Sequence, residues 1–241
     1  MRILRKLFLM IFMATYLVNG QNIDKNNTYK IKLNSDDSND TRTFSVAGGI
    51  GINLVYAPDL ASFFTYLSTT GEKIGPINPT FEFFAAAGYK FLPQWNVKIE
   101  YAYLFNSINI SNSEYVSYEN FYSVRMYTLI FEKTLGAVDS PLKIGAGIGY
   151  RSAFLEYKFV GEFDESYYSS GVGVKAKADL NTPFGDNLFG YISGDVGLNF
   201  MTDFKDNNGQ KLIYHPDVHT EKKVNMNFYS IGLKFGLIYY I

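Results

Sequence analysis

The sequence predicts an all-β chain closed into one antiparallel, up-and-down barrel of eight strands. Three observations carry the prediction. Eight segments between Thr43 and Ile241 alternate large apolar residues with small or polar ones, the period of two that gives a strand two unlike faces. The connections between them run long, short, long, short, long, short, long, so up-and-down pairing gathers the long connections at one rim and the short turns at the other. With 20 Tyr, 21 Phe and 21 Gly in 241 residues, the composition favours sheets and tight turns. No internal apolar run approaches the ~20 residues of a membrane-crossing helix.

The chain begins with a positive stretch (Arg2, Arg5, Lys6), the apolar run Leu7 to Val18 and the cleavage-site pattern Val18-Asn19-Gly20. Residues 1–20 are therefore expected to be a signal peptide cut near Gly20/Gln21. Residues 21–40 are polar and expected to be a tail with little to bury. The barrel is expected over 41–241. Its first strand, Thr43 to Tyr56, sets Phe44, Val46, Ile50, Ile52, Leu54 and Tyr56 against Ser45, Gly49, Gly51 and Asn53. A long connection, Ala57 to Asn78, leads to the second strand, Pro79 to Phe91, with Phe81, Phe83, Tyr89 and Phe91 opposite Glu82, Gly88 and Lys90. The turn Leu92-Pro93-Gln94 gives way to the third, Trp95 to Phe105, with Val97, Ile99, Tyr101 and Tyr103 opposite Lys98 and Glu100.

After a long connection, Asn106 to Asn120, strand four, Phe121 to Thr134, places Tyr122, Val124, Met126, Thr128 and Ile130 opposite Ser123, Arg125 and Tyr127. The first of these sets is expected to face outward. Strand five, Leu142 to Leu155, opposes Ile144, Ile148, Tyr150 and Phe154 to Lys143, Gly145, Gly147, Gly149 and Arg151. The loop Glu156 to Tyr168 precedes strand six, Ser169 to Thr182, where Val172, Val174 and Leu180 oppose Lys175, Lys177 and Asp179. Strand seven, Leu188 to Thr202, opposes Ile192, Val196, Leu198 and Phe200 to Tyr191, Ser193, Asp195 and Asn199. A last long loop, Asp203 to Lys223, holds the turn signal Asn207-Asn208-Gly209. The closing strand puts Tyr229, Ile231, Leu233, Phe235, Leu237, Tyr239 and Ile241 on one face and Ser230, Gly232, Lys234 and Gly236 on the other. It must pair with the first strand to close the sheet.

Alternation does not by itself say which face is wet, since soluble barrels alternate with the apolar face inside. The polar face carries twelve charges over eight strands, eight Lys or Arg and four Asp or Glu, among many Gly, Ala and Ser. That mixture suits a crowded narrow lumen better than a water-facing exterior. Aromatic residues gather near the strand ends of the apolar face, as at Phe44, Tyr56, Tyr89, Trp95, Phe105, Tyr122, Phe200 and Tyr239, resembling interfacial girdles. With the export signal, these features predict a transmembrane barrel. Closure is then required, because an open sheet edge in lipid leaves backbone groups unpaired.

The eight alternating segments, with the terminal Ser230-Ile-Gly-Leu-Lys-Phe-Gly-Leu-Ile-Tyr-Tyr-Ile241, make residues 41–241 resemble the small eight-stranded outer-membrane barrels of Gram-negative bacteria, the OmpA/OmpX-like group. The resemblance implies a place in the outer membrane and a periplasmic location for the tail of residues 21–40. It also implies lipid and lipopolysaccharide as surroundings, and recognition by the barrel-insertion machinery. The C-terminus departs from the pattern: the family's closing aromatic is here Ile241, preceded by Tyr239 and Tyr240.

The candidate site is the set of inward charges, expected to form a structural network from Glu82, Glu100, Arg125, Arg151, Lys175, Lys177, Asp179, Asp195 and Lys234, since buried charges must be paired. Lys177, Asp195 and Lys234 fall at mid-height on neighbouring strands, and Glu100 is placed within reach of Arg125 or Arg151. Lys90 and Lys143 are expected to face solvent at the short-turn rim. The network is read as a plug. The alternative is a narrow pore that the excess of four positive charges would make anion-favouring.

No catalytic residue, cofactor or metal site is expected. The histidines, His215 and His219, share one loop whose Pro216 opposes a helix, and no strand-borne Ser flanks them; an envelope-lipid enzyme is the least favoured reading. The absence of cysteine excludes disulfides and thiolate metal sites. A net charge of −1 gives no case for nucleic acid. The aromatic clusters Phe63-Phe64-Thr65-Tyr66-Leu67 and Tyr115, Tyr118 and Tyr122 either pack the long loops onto the rim or serve binding to an envelope or extracellular partner.

Overall fold

A computed structural model describes residues 43–68, 73–113, 116–135, 142–159 and 163–241. The expected signal peptide and polar tail lie outside the described residues. Within them, eight strands close a barrel: β1 (Phe44–Tyr56), β2 (Ile77–Leu92), β3 (Trp95–Ser113), β4 (Val116–Leu135), β5 (Leu142–Phe159), β6 (Phe163–Pro183), β7 (Leu188–Met201) and β10 (Phe228–Tyr240). Each pairs antiparallel with its chain neighbour in the barrel, and β10 returns to β1, giving the ring order β1-β10-β7-β6-β5-β4-β3-β2. The short strands β8 (Ile213–Asp217) and β9 (Thr220–Lys223) form a separate hairpin between β7 and β10.

The exterior is apolar along the whole ring. Ile50, Phe81 and Ile99 are 60%, 64% and 64% exposed, and Ile148, Val172, Phe200 and Phe235 are exposed with them. Water does not tolerate a continuous apolar surface of this extent; lipid does. The thirteen residues of β1, at ~3.3 Å per residue and a tilt of ~45°, rise about 30 Å, the thickness of a bilayer's hydrocarbon layer. The molecule is an eight-stranded transmembrane β-barrel.

The closing seam sets Ser45 to Tyr56 against Tyr240 to Tyr229. Ile241 extends it by donating its N–H to the Phe44 carbonyl at 2.8 Å. At the middle of the seam Gly49 faces Gly236. A Cβ on Gly49 would run into the Phe235 carbonyl, and one on Gly236 into the Gly48 carbonyl. Close approach of the two backbones therefore requires glycine on both strands.

The rim with long connections is more ordered than alternation alone predicts. The connection after β1 contains helix α1 (Pro58–Leu67). Pro58 opens its first turn, where φ is already fixed and no N–H is missed, and Asp59 faces the positive end of the helix dipole. Its apolar face buries Leu60, Ala61, Phe63 and Phe64. Phe63 packs edge-on against Tyr157 and Tyr214, at ring distances of 6.0 and 5.8 Å. Those helix rings thus pack onto the rim; side chains around Tyr115 and Tyr118 lie outside the described residues.

The expected loops 106–120 and 156–168 are largely paired strand. Ile108 stands opposite Asn120, and Tyr157 opposite Glu165. Polar hairpin extensions lack clean alternation, yet their backbone groups still find partners across the pair. The predicted turn at Asn207-Asn208-Gly209 is present. Gly209 takes φ +81°, and the Asp206 carboxylate accepts the N–H groups of Asn208 and Gln210 at 2.9 and 2.7 Å.

Strand β4 corrects the expected facing. Tyr122, Val124, Met126, Thr128, Ile130 and Glu132 are buried, whereas Arg125, Tyr127, Leu129 and Phe131 are exposed. Tyr122 therefore does not belong to the outer girdle. The lower half of β4 fixes this parity: Glu132 must avoid lipid, and Tyr127, Leu129 and Phe131 suit it.

Gly49→Leu is expected to destabilise the folded barrel by about 1–3 kcal/mol or more through overpacking at the seam. Gly194→Leu, at an outward position with no atom within 4 Å of a new Cβ, is expected to be tolerated. The fraction of protein whose gel migration shifts on boiling, compared between the two, checks this.

Candidate functional site: the ion-paired lumen

The inward positions of the barrel fall into two layers. Toward the short-turn rim and the middle lies a charge network. Toward the long-loop rim lies an apolar cluster.

Glu100 on β3 is the centre of the first layer. It faces Lys175 at 2.8 Å, Lys177 at 3.0 Å and Lys234 at 2.8 Å, from β6 and β10. Lys234 also reaches Glu82 at 2.7 Å and Asp195 at 3.0 Å, and Lys175 lies 3.5 Å from Asp195. A second knot forms nearer the short turns. Lys98 lies 2.7 Å from Glu132 and 2.8 Å from Asp179, and Lys177 lies 3.2 Å from Asp179. The Lys177 ammonium donates to the Tyr191 hydroxyl at 2.8 Å. The Asn53 amide donates to Glu82. Ring faces support the cations: Lys234 sits 5.4 Å from the Phe84 centroid, and Lys98 and Lys177 each sit 5.5 Å from that of Tyr191.

Strand alternation explains why these side chains point inward, and barrel width explains why they meet. In a ring of eight strands, opposite walls are close enough for long side chains to fill the interior. Lys234 and Glu100 therefore touch although 134 residues separate them.

The structure treats the expected network residues unequally. It brings together Glu82, Glu100, Lys175, Lys177, Asp179, Asp195 and Lys234. Arg151 is fully buried but is satisfied by neutral acceptors, Asn199 Oδ1 at 2.7 Å, Thr128 Oγ1 at 3.0 Å and the Tyr150 carbonyl at 3.1 Å. Arg125 is corrected: it lies outside the lumen, because the parity of β4 turns it outward. Glu100 consequently meets three lysines rather than Arg125 or Arg151. Lys98 and Glu132 are further members, beyond the expected set. Lys143 is also corrected. It is buried rather than in solvent and donates to the Tyr240 hydroxyl at 3.0 Å, a group that also accepts from Asn181 at 2.7 Å.

With Arg125 outside, Glu132 inside and Lys90 only half-buried, the buried charges among the described residues are six Lys or Arg against five Asp or Glu. The expected excess of four positive charges falls to one, which weakens the basis for anion preference.

The second layer lies mainly above the charges, and the same cluster continues past them through Phe84 and Tyr191 to Phe189 and Ile238 near the short turns. Val55, Leu60, Phe63, Phe64, Leu104, Tyr122, Val124, Met126, Leu155, Phe204, Leu212, Tyr214, Val224, Met226 and Phe228 form one buried cluster. It draws on α1, the strand ends and the segment after β7. That segment is tied down by its own ladder, with Phe204 N–H to Val224 O at 2.8 Å and Leu212 N–H to Phe204 O at 2.9 Å. The Asn225 amide donates to Asp59 and joins the segment to α1. His215 and His219 are exposed on the β8–β9 hairpin above the cluster. Among the described residues, no group of three or more His, Asp or Glu side chains is placed to hold a metal ion.

No family model matches the chain, and no curated protein matches it. Solved structures align with it. A major outer membrane protein from Thermus thermophilus aligns with a TM-score of 0.50 at 10% identity, covering 82% of this chain and 99% of that one. Neisserial surface protein A aligns at 0.48 and 10% identity over 82% and 97%. Ail, the attachment invasion locus protein of Yersinia pestis, aligns at 0.45 and 14% identity over 83% and 99%. The chain has the fold of the outer-membrane β-barrels.

Removing one member of a buried charge cluster strands its partners. Glu100→Gln, which leaves three lysines facing a neutral amide, is expected to cost about 3–5 kcal/mol. Arg125→Gln, on the exposed outer face, is expected to change stability by less than about 0.5 kcal/mol. Urea unfolding in detergent micelles measures both.

Proposed function

We propose that the protein is a closed outer-membrane scaffold. It resides in the envelope of a Gram-negative cell, conducts no solute, catalyses no reaction and presents its long-loop rim to an envelope or extracellular partner. The barrel-insertion machinery would deliver it there, with lipid and lipopolysaccharide as its surroundings. The observation that carries this reading is the double filling of the lumen. Three lysines converge on Glu100 at mid-height, and an apolar cluster lies above them. An ion crossing the barrel would have to part buried ion pairs and then pass an apolar layer. Either step alone opposes conduction.

The same geometry favours a scaffold over an enzyme. The two histidines sit exposed on a hairpin, away from the buried carboxylates of the lumen, so no base is paired with a nucleophile there. The rim, by contrast, is built for display. The extensions of β3–β4 and β5–β6 are paired strand. Stacked Tyr157 and Tyr167, 5.9 Å apart, both donate to Glu165 at 2.5 Å. Rigid loops lose little entropy when they bind.

In planar bilayers the purified protein is expected to give no steady conductance steps at moderate voltage. Reproducible, long-lived openings from the folded protein would refute the closed scaffold.

A further inference from the structure

The outer face carries a polar interruption that the closed lumen does not explain. Ser123, Arg125, Ser152, Phe154 and Tyr168 line an open notch of about 320 Å³. They come from three adjacent strands. Arg125 on β4 stands opposite Ser152 on β5, and Ser123 opposite Phe154. Phe154 packs on Tyr168 at 5.3 Å and on Phe121 at 6.5 Å, which frames the notch with rings.

Arg125 is exposed and makes no ion pair among the described residues. On the outward face of β4 it stands between Lys133, toward the short-turn rim, and Glu119, beyond the apolar band. Below it the outward residues are Tyr127, Leu129 and Phe131; above it the paired hairpins become polar. Arg125 therefore sits where the apolar band ends, at the depth of lipid headgroups. A cation at that depth with no protein anion beside it favours a lipid anion. The guanidinium fork matches phosphate oxygens bidentately. Ser123 and Ser152 leave room beside it and supply hydroxyl donors.

We propose that the Arg125 notch binds the phosphate headgroup of a membrane lipid. The inference rests on the barrel being seated in a membrane. It converts Arg125 from an unpaired surface charge into an anchor for one lipid against the β4–β6 wall.

Native mass spectrometry of the full chain tests it, with the protein released from micelles containing equal amounts of phosphatidic acid and phosphatidylcholine. The wild type is expected to retain phosphatidic acid about fivefold more than phosphatidylcholine, the preference worth one Arg near a membrane surface. Arg125→Gln should bring the two lipids level. Arg125→Lys should keep part of the preference, and Ser152→Leu, which fills the notch, should reduce it. Lys133→Gln, nearer the short-turn rim on the same strand, should leave it intact. Equal retention by the wild type, an unchanged preference in Arg125→Gln, or an equal loss in Lys133→Gln would overturn the site. These outcomes are read only on protein whose migration shifts on boiling. A chain that stays soluble and folded without detergent would overturn the membrane reading and the site with it.

Discussion

A charge enclosed by a lipid-facing barrel must find its partners inside the barrel. Glu100 shows the consequence: it meets Lys175, Lys177 and Lys234 within 3.0 Å. Each of those ammonium groups has a second carboxylate nearby, Asp195 for Lys175, Asp179 for Lys177, and Glu82 and Asp195 for Lys234, so Glu100 joins them into one network. Because the partners come from β3, β6 and β10, satisfying them fixes which strands lie across the lumen from one another. A slip of one residue in any of these strands would turn a lysine or a carboxylate into the lipid. The network therefore specifies register as well as filling space.

The apolar cluster above the network reverses the usual rule for a membrane barrel. At the middle of the wall, polar residues point in and apolar residues out. Toward the long-loop rim the interior is an apolar core resembling that of a soluble protein, covered by α1 and by the segment from Phe204 to Phe228. The glycine pair at the seam permits the same closure from the side, by letting β1 and β10 approach without side chains between them. Charge pairing, apolar capping and seam closure all produce a barrel with a filled interior.

Much of this is legible in the sequence. Period-two alternation places the faces of β1, β2, β3, β5, β6, β7 and β10, because their outward residues are consistently larger and more apolar than their inward ones. It fails on β4 for a physical reason. The upper half of that strand faces the apolar cap, so Tyr122, Val124 and Met126 are inside although they look lipid-facing. The lower half holds the resolving signal: Thr128 and Glu132 share a parity, and a carboxylate at mid-wall belongs inside. Helix α1 also leaves a trace inside its long connection, where Leu60, Phe63, Phe64 and Leu67 follow Pro58-Asp59 at helical spacing. The partners of Glu100 are not readable, since contacts across the lumen depend on strand tilt and stagger, which no single strand encodes.

Access to the lumen is the most direct measure of whether it is closed. The chain has no cysteine, so a single introduced thiol reports without background. Ser193→Cys places one at a fully buried lumen position, and Asn207→Cys places one at an exposed turn. With the protein in lipid vesicles and a small, membrane-impermeant thiol reagent on both sides, the turn is expected to react within minutes and the lumen position to stay unmodified. Modification of Ser193→Cys at a rate near that of Asn207→Cys would mean that water fills the barrel, and would contradict a sealed, ion-paired lumen.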